Sequence, residues 1–389
     1  MDKKILFYSF SDKLHTIAQE MIKHPPDGYS YVMPADRSNQ HRVESLKKNK
    51  LIRAIYKNIL YPFMNPLSFY EKDLKVASDI DLVYVSDFLI NKKVPWVCDC
   101  EVALSLSGHN DYLLNKNRRK IEDVLASSYC RKIMPFTNFG KKTIEREFDT
   151  SRFQHKIEVV HFAADVPIIR RKKHDRYINI IFVGTANQSD PVIFNMKGGR
   201  EAISAFRIIS KKYPNVRMKI ISNIPQGIDT KIERLEVISL MPRKELFKIY
   251  AESDILLAPT YLNLGMSFVE AMGCSLPIIT TDMFGLPEAV KDNGFVIHLP
   301  VKGKYEYQST PLSEFPSFTD FIYKNNSKSI ITGIVEAVSL VAEHPYLITK
   351  MSSASRERYE KEFSVEYKNA KLKRIFDEAT LQRKETAVY

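Results

Sequence analysis

The chain has 389 residues and no run of about 18 or more apolar residues, so no segment reads as a membrane span. Its start, MDKKILFYSFSDK, lacks the long apolar core of a secretion signal. It reads as a strand, and the expected location is the cytoplasm. Cysteine is scarce. Cys98, Cys100, Cys130 and Cys274 show neither metal-ligand nor disulfide spacing, and the first two share one side of a strand as packing residues. There are no internal repeats, which excludes solenoids. Acid is outnumbered: 46 Asp and Glu face 58 Lys and Arg, a formal net charge of +12. That excess suits an anionic partner, whether ligand phosphates, a lipid surface or nucleic acid. No nucleic-acid-binding motif accompanies it, so nucleic acid is set aside.

What is present centres on residues 258–290, APTYLNLGMSFVEAMGCSLPIITTDMFGLPEAV. Ile255 to Ala258 is a short apolar run ending at Pro259, which reads as a buried strand. A loop from Thr260 to Leu264 follows. Gly265 then opens a helix with Phe268, Val269 and Met272 on one face. Pro277 to Thr280 reads as a second strand, and Gly285-Leu286-Pro287-Glu288 as the opening of another helix. Alternating strand and helix predicts parallel βαβ units. Helix starts at strand ends present unpaired N–H groups suited to phosphates. Glu270 lies where it can reach a ligand over the loop. The length leaves room for two cores, since one core rarely exceeds about 250–300 residues.

This stretch resembles the donor-binding signature of the retaining family 4 glycosyltransferases, which have the GT-B fold. The resemblance rests on Gly265, Glu270-Ala271-Met272, Pro277-Ile278-Ile279-Thr280, Gly285-x-Pro287-Glu288 and Lys197-Gly198. It implies an α/β protein with two Rossmann-like, doubly wound parallel-sheet domains facing a central cleft. The implied domains are an acceptor-binding domain over 1–166, a linker over 167–177 and a nucleotide-sugar domain over 178–355. A final helix over 356–389 returns to the first domain. The implied activity moves a sugar from a nucleotide-sugar donor to a glycan or lipid-linked acceptor, with retention at the anomeric carbon. The donor is a substrate, and neither cofactor nor metal is called for. No Asp-x-Asp motif stands at a strand end.

The resemblance also assigns residues. Lys197, beside Gly198 at a helix start, would stabilise the leaving diphosphate as the catalytic cation. Gly184, Met241, Asn263, Gly265, Met266, Ser267 and Glu270 complete the donor site, with Glu270 on the ribose hydroxyls. The chain departs from the family at two places. Leu262 occupies the position of the family's first glutamate, and Thr185 that of its diphosphate arginine. Leu262 implies a donor with a modified or deoxy sugar, where Asn263 takes over the hydrogen bonding. A binding or scaffold protein of the same fold with weakened catalysis is the alternative. In the first domain Glu101 and Asp99 end a strand, and Glu101 is the candidate to accept an acceptor hydroxyl proton. His109 and His161 read as loop and packing residues.

Residues 37–61, RSNQHRVESLKKNKLIRAIYKNILY, combine Lys47, Lys48, Lys50 and Arg53 with apolar residues at helical spacing. Such a segment reads as a peripheral contact with an anionic membrane, or as a solvated surface helix. Further expectations are a strand over Ile157 to His161, a loop-rich excursion over 299–326, and helices over 330–343 and 346–378.

Overall fold

Two parallel sheets carry the chain in the computed structural model, which describes residues 2–9, 14–34, 74–168, 176–184, 191–239, 241–306 and 314–386. They belong to two compact units, residues 1–163 with 365–389, and residues 164–364. The basic segment with Lys47, Lys48, Lys50 and Arg53, and also Thr185, lie outside the described residues. Among the described residues no single helix is long and apolar enough to cross a membrane.

The first unit is built from β1 (Lys3–Ser9), α1 (Thr16–Lys23), β2 (Tyr29–Val32), β3 (Leu82–Ser86), β4 (Trp96–Cys100), α2 (Asp111–Ala126), β5 (Cys130–Pro135) and α3 (Asn138–Glu147). Sheet order is β2-β1-β3-β4-β5, all parallel. Strands of such a sheet are covered on both faces, so they read as nearly continuous apolar runs. The two-residue side-chain period splits them. Leu6, Val83, Val85 and Cys98 pack under α2 and α3 with Leu114, Ile121 and Ile144. Ile5, Phe7, Tyr84 and Val97 face the other way, against Ala18 and Met21 of α1.

That second face is closed by the last helix. Leu372, Ile375, Phe376 and Ala379 recur at helical spacing and are buried in the same cluster. Each of the three larger side chains contributes about 1.5–3 kcal/mol by leaving water. Tyr29 donates to Asp377 at 2.7 Å and Lys3 to Thr380 at 2.8 Å, which fixes the helix register.

The second unit contains β6 (Ile178–Val183), α4 (Pro191–Met196), α5 (Gly199–Lys212), β7 (Val216–Ile221), β8 (Leu235–Ile238), α6 (Arg243–Ala251), β9 (Ile255–Ala258), α7 (Met266–Gly273), β10 (Ile278–Thr281), β11 (Gly294–Ile297), α8 (Phe315–Glu343) and α9 (Tyr346–Arg358). Its sheet runs β11-β10-β9-β6-β7-β8, again parallel. From β6 the chain builds outward to β7 and β8. It then returns to the other side of β6 and builds to β9, β10 and β11. The order therefore reverses between β6 and β9, and in open α/β sheets ligands bind at the carboxyl ends beside such a reversal.

The structure corrects several readings. Ile157 to His161 is not a strand, and only Ile157 bridges to Ile133. Glu158 and Val160 donate to Ile133 and Pro135, but Pro135 has no N–H to return. Gly285 to Glu288 opens only a 3-10 turn over Leu286–Glu288. The Asn293 amide takes the Ala289 carbonyl that a longer helix would use. Residues 315–326 are the start of the 29-residue helix α8 rather than loop. Pro316 falls in its first turn, where a missing N–H costs no helical hydrogen bond. The last helix, α10 (Val365–Thr386), begins beyond the 356 read from sequence. The turn before it is held within the second unit by Tyr359, whose hydroxyl donates to the Ala164 carbonyl at 2.8 Å.

Candidate functional site at the sheet reversal of the second unit

At the carboxyl end of β6, Gly184 donates to Ile221 at 3.0 Å. A Cβ there would meet the Ser222 hydroxyl at 2.2 Å, so no larger residue fits. Further along, α4 ends at Met196, and the turn Lys197-Gly198 leads into α5. Gly198 adopts φ +75°, a left-handed conformation suited to glycine, and a Cβ on it would sit 2.2 Å from the Pro259 carbonyl. The close approach lets the two strand-end loops share hydrogen bonds. The Thr260 hydroxyl and the Tyr261 amide both donate to the Met196 carbonyl, at 3.1 and 2.9 Å. Thr281 of β10 donates to the Thr260 carbonyl at 2.6 Å. The Leu262 amide donates to the Thr260 hydroxyl at 3.1 Å. Met196, the residue before Lys197 and Gly198, is thus tied by hydrogen bonds to Thr260 and Tyr261 of the loop.

Lys197 has a half-buried side chain with no ion pair or hydrogen bond to its ammonium among the described residues. Burial holds its pKa below the ordinary lysine value, and the Glu270 carboxylate opposes that shift. A desolvated cation beside left-handed Gly198 is poised to gain from an anion. Across the reversal, α7 begins at Met266 with Gly265 as its cap. No side chain caps this end, and a Cβ on Gly265 would meet nothing within 4 Å. The amides of Met266 and Ser267 therefore open onto free space with the positive end of the helix dipole behind them. Both side chains are half-buried, as are those of Asn263 and Met241. The Asn263 amide makes no hydrogen bond among the described residues.

Glu270 lies in the buried core of α7, at 5% exposure. Its Oε1 accepts from Arg243 Nε at 2.7 Å, and its Oε2 from the Tyr250 hydroxyl at 3.4 Å. Arg243 begins α6 at the carboxyl end of β8, with its guanidinium 5.3 Å from the Phe247 ring centre. A carboxylate offers about four acceptor positions, so capacity remains after these bonds. Neither Arg243 nor Tyr250 emerged from the sequence. A basic residue in the first turn after a strand end, Pro242-Arg243, was the available signal.

In the first unit Glu101 follows β4 and is half-buried; its amide donates to Asp87 Oδ1 at 3.0 Å. Asp99, its companion in the sequence reading, is interior at 3% exposure and accepts from the Tyr84 hydroxyl at 2.8 Å. Burial raises its pKa, with Asp87 adding to the shift and Tyr84, Ser86 and Lys368 opposing it. Glu101 is the more accessible of the two. His161 contacts the Phe136 carbonyl through Nδ1 at 2.7 Å, and His109 follows a left-handed Gly108 with φ 58° of its own. Among the described residues no group of three or more His, Cys, Asp or Glu is arranged to hold a metal ion.

Residues 177–302 match the family described as Glycosyl transferases group 1. That segment contains Gly184, Lys197, Gly198, Arg243 and Glu270. A D-inositol 3-phosphate glycosyltransferase of Segniliparus rotundus is 27% identical over 110 residues, covering 25% of this chain and 24% of that protein. The match thus spans about a quarter of the curated relative. Among solved structures, Anabaena HepE in complex with UDP and glucose superposes with a TM-score of 0.58 at 13% identity, covering 97% of this chain and 100% of that one. Sucrose-phosphate synthase from Thermosynechococcus elongatus gives 0.56 at 12% identity, with 100% of both chains covered. A glycosyltransferase from Rickettsia africae gives 0.55 at 12%, covering 97% and 98%. The chain has the GT-B fold, with two Rossmann-like parallel-sheet domains and a C-terminal helix packed on the first.

Proposed function

We propose that the chain is a glycosyltransferase that moves a sugar from a nucleotide-sugar donor to an acceptor hydroxyl with retention at the anomeric carbon. The observation that carries this reading is the assembly at the sheet reversal. A desolvated Lys197, an uncapped α7 N-terminus and, one turn further along α7, a buried Glu270 lie within the segment that matches the family. The likeness to HepE, whose structure holds UDP and glucose, makes a uridine diphosphate sugar the first donor to try.

In this reading the bond between the anomeric carbon and the diphosphate oxygen breaks, and the nucleoside diphosphate leaves with the electron pair. Lys197 and the amides of Met266 and Ser267 take up the negative charge that develops, as preorganised groups do. The acceptor oxygen bonds to the same face of the sugar. Glu101 is assigned to take its proton. Glu270, oriented by Arg243, accepts from the ribose hydroxyls. The cationic charge comes from side chain and helix end, so the reading calls on no metal. Leu262 cannot accept a sugar hydroxyl, and leaving one unpaired would cost about 1–3 kcal/mol. We therefore assign a modified or deoxy donor sugar, met by Asn263. The acceptor is assigned as a glycan or lipid-linked glycan, with the basic segment around Lys47 to Arg53 as the membrane contact.

The test is nucleotide binding by calorimetry, with UDP, GDP and ADP against the matching monophosphates. A ligand at about 100 times its Kd also stabilises by about 2.7 kcal/mol, so a melting shift accompanies it. Lys197→Ala should weaken diphosphate binding more than monophosphate binding, because its charge acts on the second phosphate. Equal losses for both, or no diphosphate binding by the wild type, would overturn the assignment.

A further inference from the structure

The proposed transfer gives the acceptor proton to Glu101, and the backbone of that residue is held from a strained neighbour. Strands β3 and β4 run parallel with Ser86 beside Asp99. Asp87 is the first residue past β3 and so lies beside the end of β4. It has φ 61°, in the left-handed region. Residues other than glycine are strained there, and aspartate bears it better than most. The turned backbone brings two groups to the neighbouring strand end. The Asp87 amide donates to the Asp99 carbonyl at 3.1 Å, with Asp99 Oδ1 also at 3.3 Å. The Asp87 carboxylate accepts from the Glu101 amide at 3.0 Å through Oδ1.

The surroundings hold both partners. Asp99 is interior, and Tyr84 donates to its Oδ2 at 2.8 Å. Lys368 of α10, itself 7% exposed, steadies the Asp99 charge against burial. The Cys100 carbonyl accepts from the Phe136 amide at 3.0 Å. A Cβ on Gly140 of α3 would collide with the Glu101 carbonyl, so that helix closes against the strand end. The Ala103 amide donates to the Thr143 hydroxyl at 2.9 Å. The backbone from Asp99 to Ala103 is thus gripped by the end of β3, by the segment after β5 and by α3. Glycine at position 87 would take the same φ without strain. What aspartate adds is the acceptor for the Glu101 amide. Strain of this kind persists where the surrounding structure fixes it and geometry serves function.

Resting on the assignment of Glu101, we propose that Asp87 is a positioning residue of the acceptor site. It fixes the Glu101 backbone, so that the Glu101 carboxylate meets the acceptor oxygen in one orientation. In the step it serves, that oxygen bonds to the anomeric carbon, the bond to the diphosphate oxygen breaks, and Glu101 takes the proton. A displacement of about 1 Å at such a group lowers the rate by up to about a hundredfold.

The full chain is assayed for UDP release from UDP-N-acetylglucosamine and from UDP-glucose, with water and glycerol as acceptors. UDP affinity is measured alongside by calorimetry. Asp87→Gly relieves the strain but removes the acceptor for the Glu101 amide. It should lower kcat by about tenfold to a hundredfold and leave UDP affinity unchanged. Asp87→Asn keeps an acceptor oxygen and tolerates the left-handed turn, so it should recover most of the rate. In a Glu101→Gln background Asp87→Gly should cost nothing further, because both changes act on one group. The inference is overturned if Asp87→Gly turns over as the wild type does, if Asp87→Asn is as slow as Asp87→Gly, or if the two losses add. With Glu101→Gln slow, those results leave the transferase reading standing. A Glu101→Gln variant as fast as the wild type overturns the role of Glu101 and this inference with it. A wild type that releases UDP from neither donor overturns the transfer reading, and the inference falls with that reading.

Discussion

Replacing Glu201 with glutamine should stabilise the second unit at neutral pH and leave it unchanged in acid. Glu201 is in the first turn of α5 and is 0% exposed. Neither carboxylate oxygen has a hydrogen-bond partner of normal geometry among the described residues, and the Tyr261 hydroxyl is likewise without one. Burial pushes the Glu201 pKa from 4.5 up to about 6, while its own amide, Ser327 and Arg200 oppose the shift. The folded state therefore holds the proton more tightly than the unfolded chain. Stability is complete below the unfolded value near 4.5 and is lost as pH rises through about 6. At about 1.4 kcal/mol per pH unit, the loss reaches about 2 kcal/mol above that window. Glutamine keeps the shape without the charge, so Glu201→Gln should recover about 2 kcal/mol. For a unit of this size that is about 4–8 °C in melting temperature. Calorimetry at about pH 4 and about pH 8 reads the effect, with hydrogen exchange on α5 and α8 assigning the transition. A gain of the same size at both pH values, or a loss at pH 8, would refute the reasoning.

Arg243→Gln should destabilise by about 2–3 kcal/mol, because a buried carboxylate loses its cation. Adding Glu270→Gln should restore the melting temperature and leave nucleotide affinity low; recovery of both would mean that Glu270 serves stability alone. Gly198→Ala should cost at least about 2 kcal/mol, from its φ of +75° and the 2.2 Å approach to Pro259. It should also weaken diphosphate binding by parting the two strand-end loops. A variant as stable as the wild type, with unchanged binding, would sink that account.

Local pattern reached some of these residues and could not reach others. The β9–α7–β10 unit was legible because an apolar run, a glycine and a helical face follow one another within a few turns. Glu270 stood out because it lies in the helix that Gly265 opens, within reach of a ligand over the strand-end loop. Its cation did not, since Arg243 comes from another helix 27 residues earlier and meets Glu270 only once the sheet is assembled. The long α8 was misread as loop through 326 because Pro311 and Pro316 look like helix breakers. Pro316 lies in the first turn, where proline breaks nothing. That misreading hid Glu201 as well. Its spacing in α5 puts it on a face that looks half exposed until α8 is laid over it. The last helix was expected on the first domain, and Leu372, Ile375 and Phe376 gave it the required stripe. Its starting point was hidden because Tyr359 anchors the preceding turn to a carbonyl 195 residues away. Periodicity reports which face is apolar, and only the assembled fold reports what covers it. The chemistry-bearing residues least visible in this chain, Arg243 and Glu201, owe their environment to elements distant in sequence.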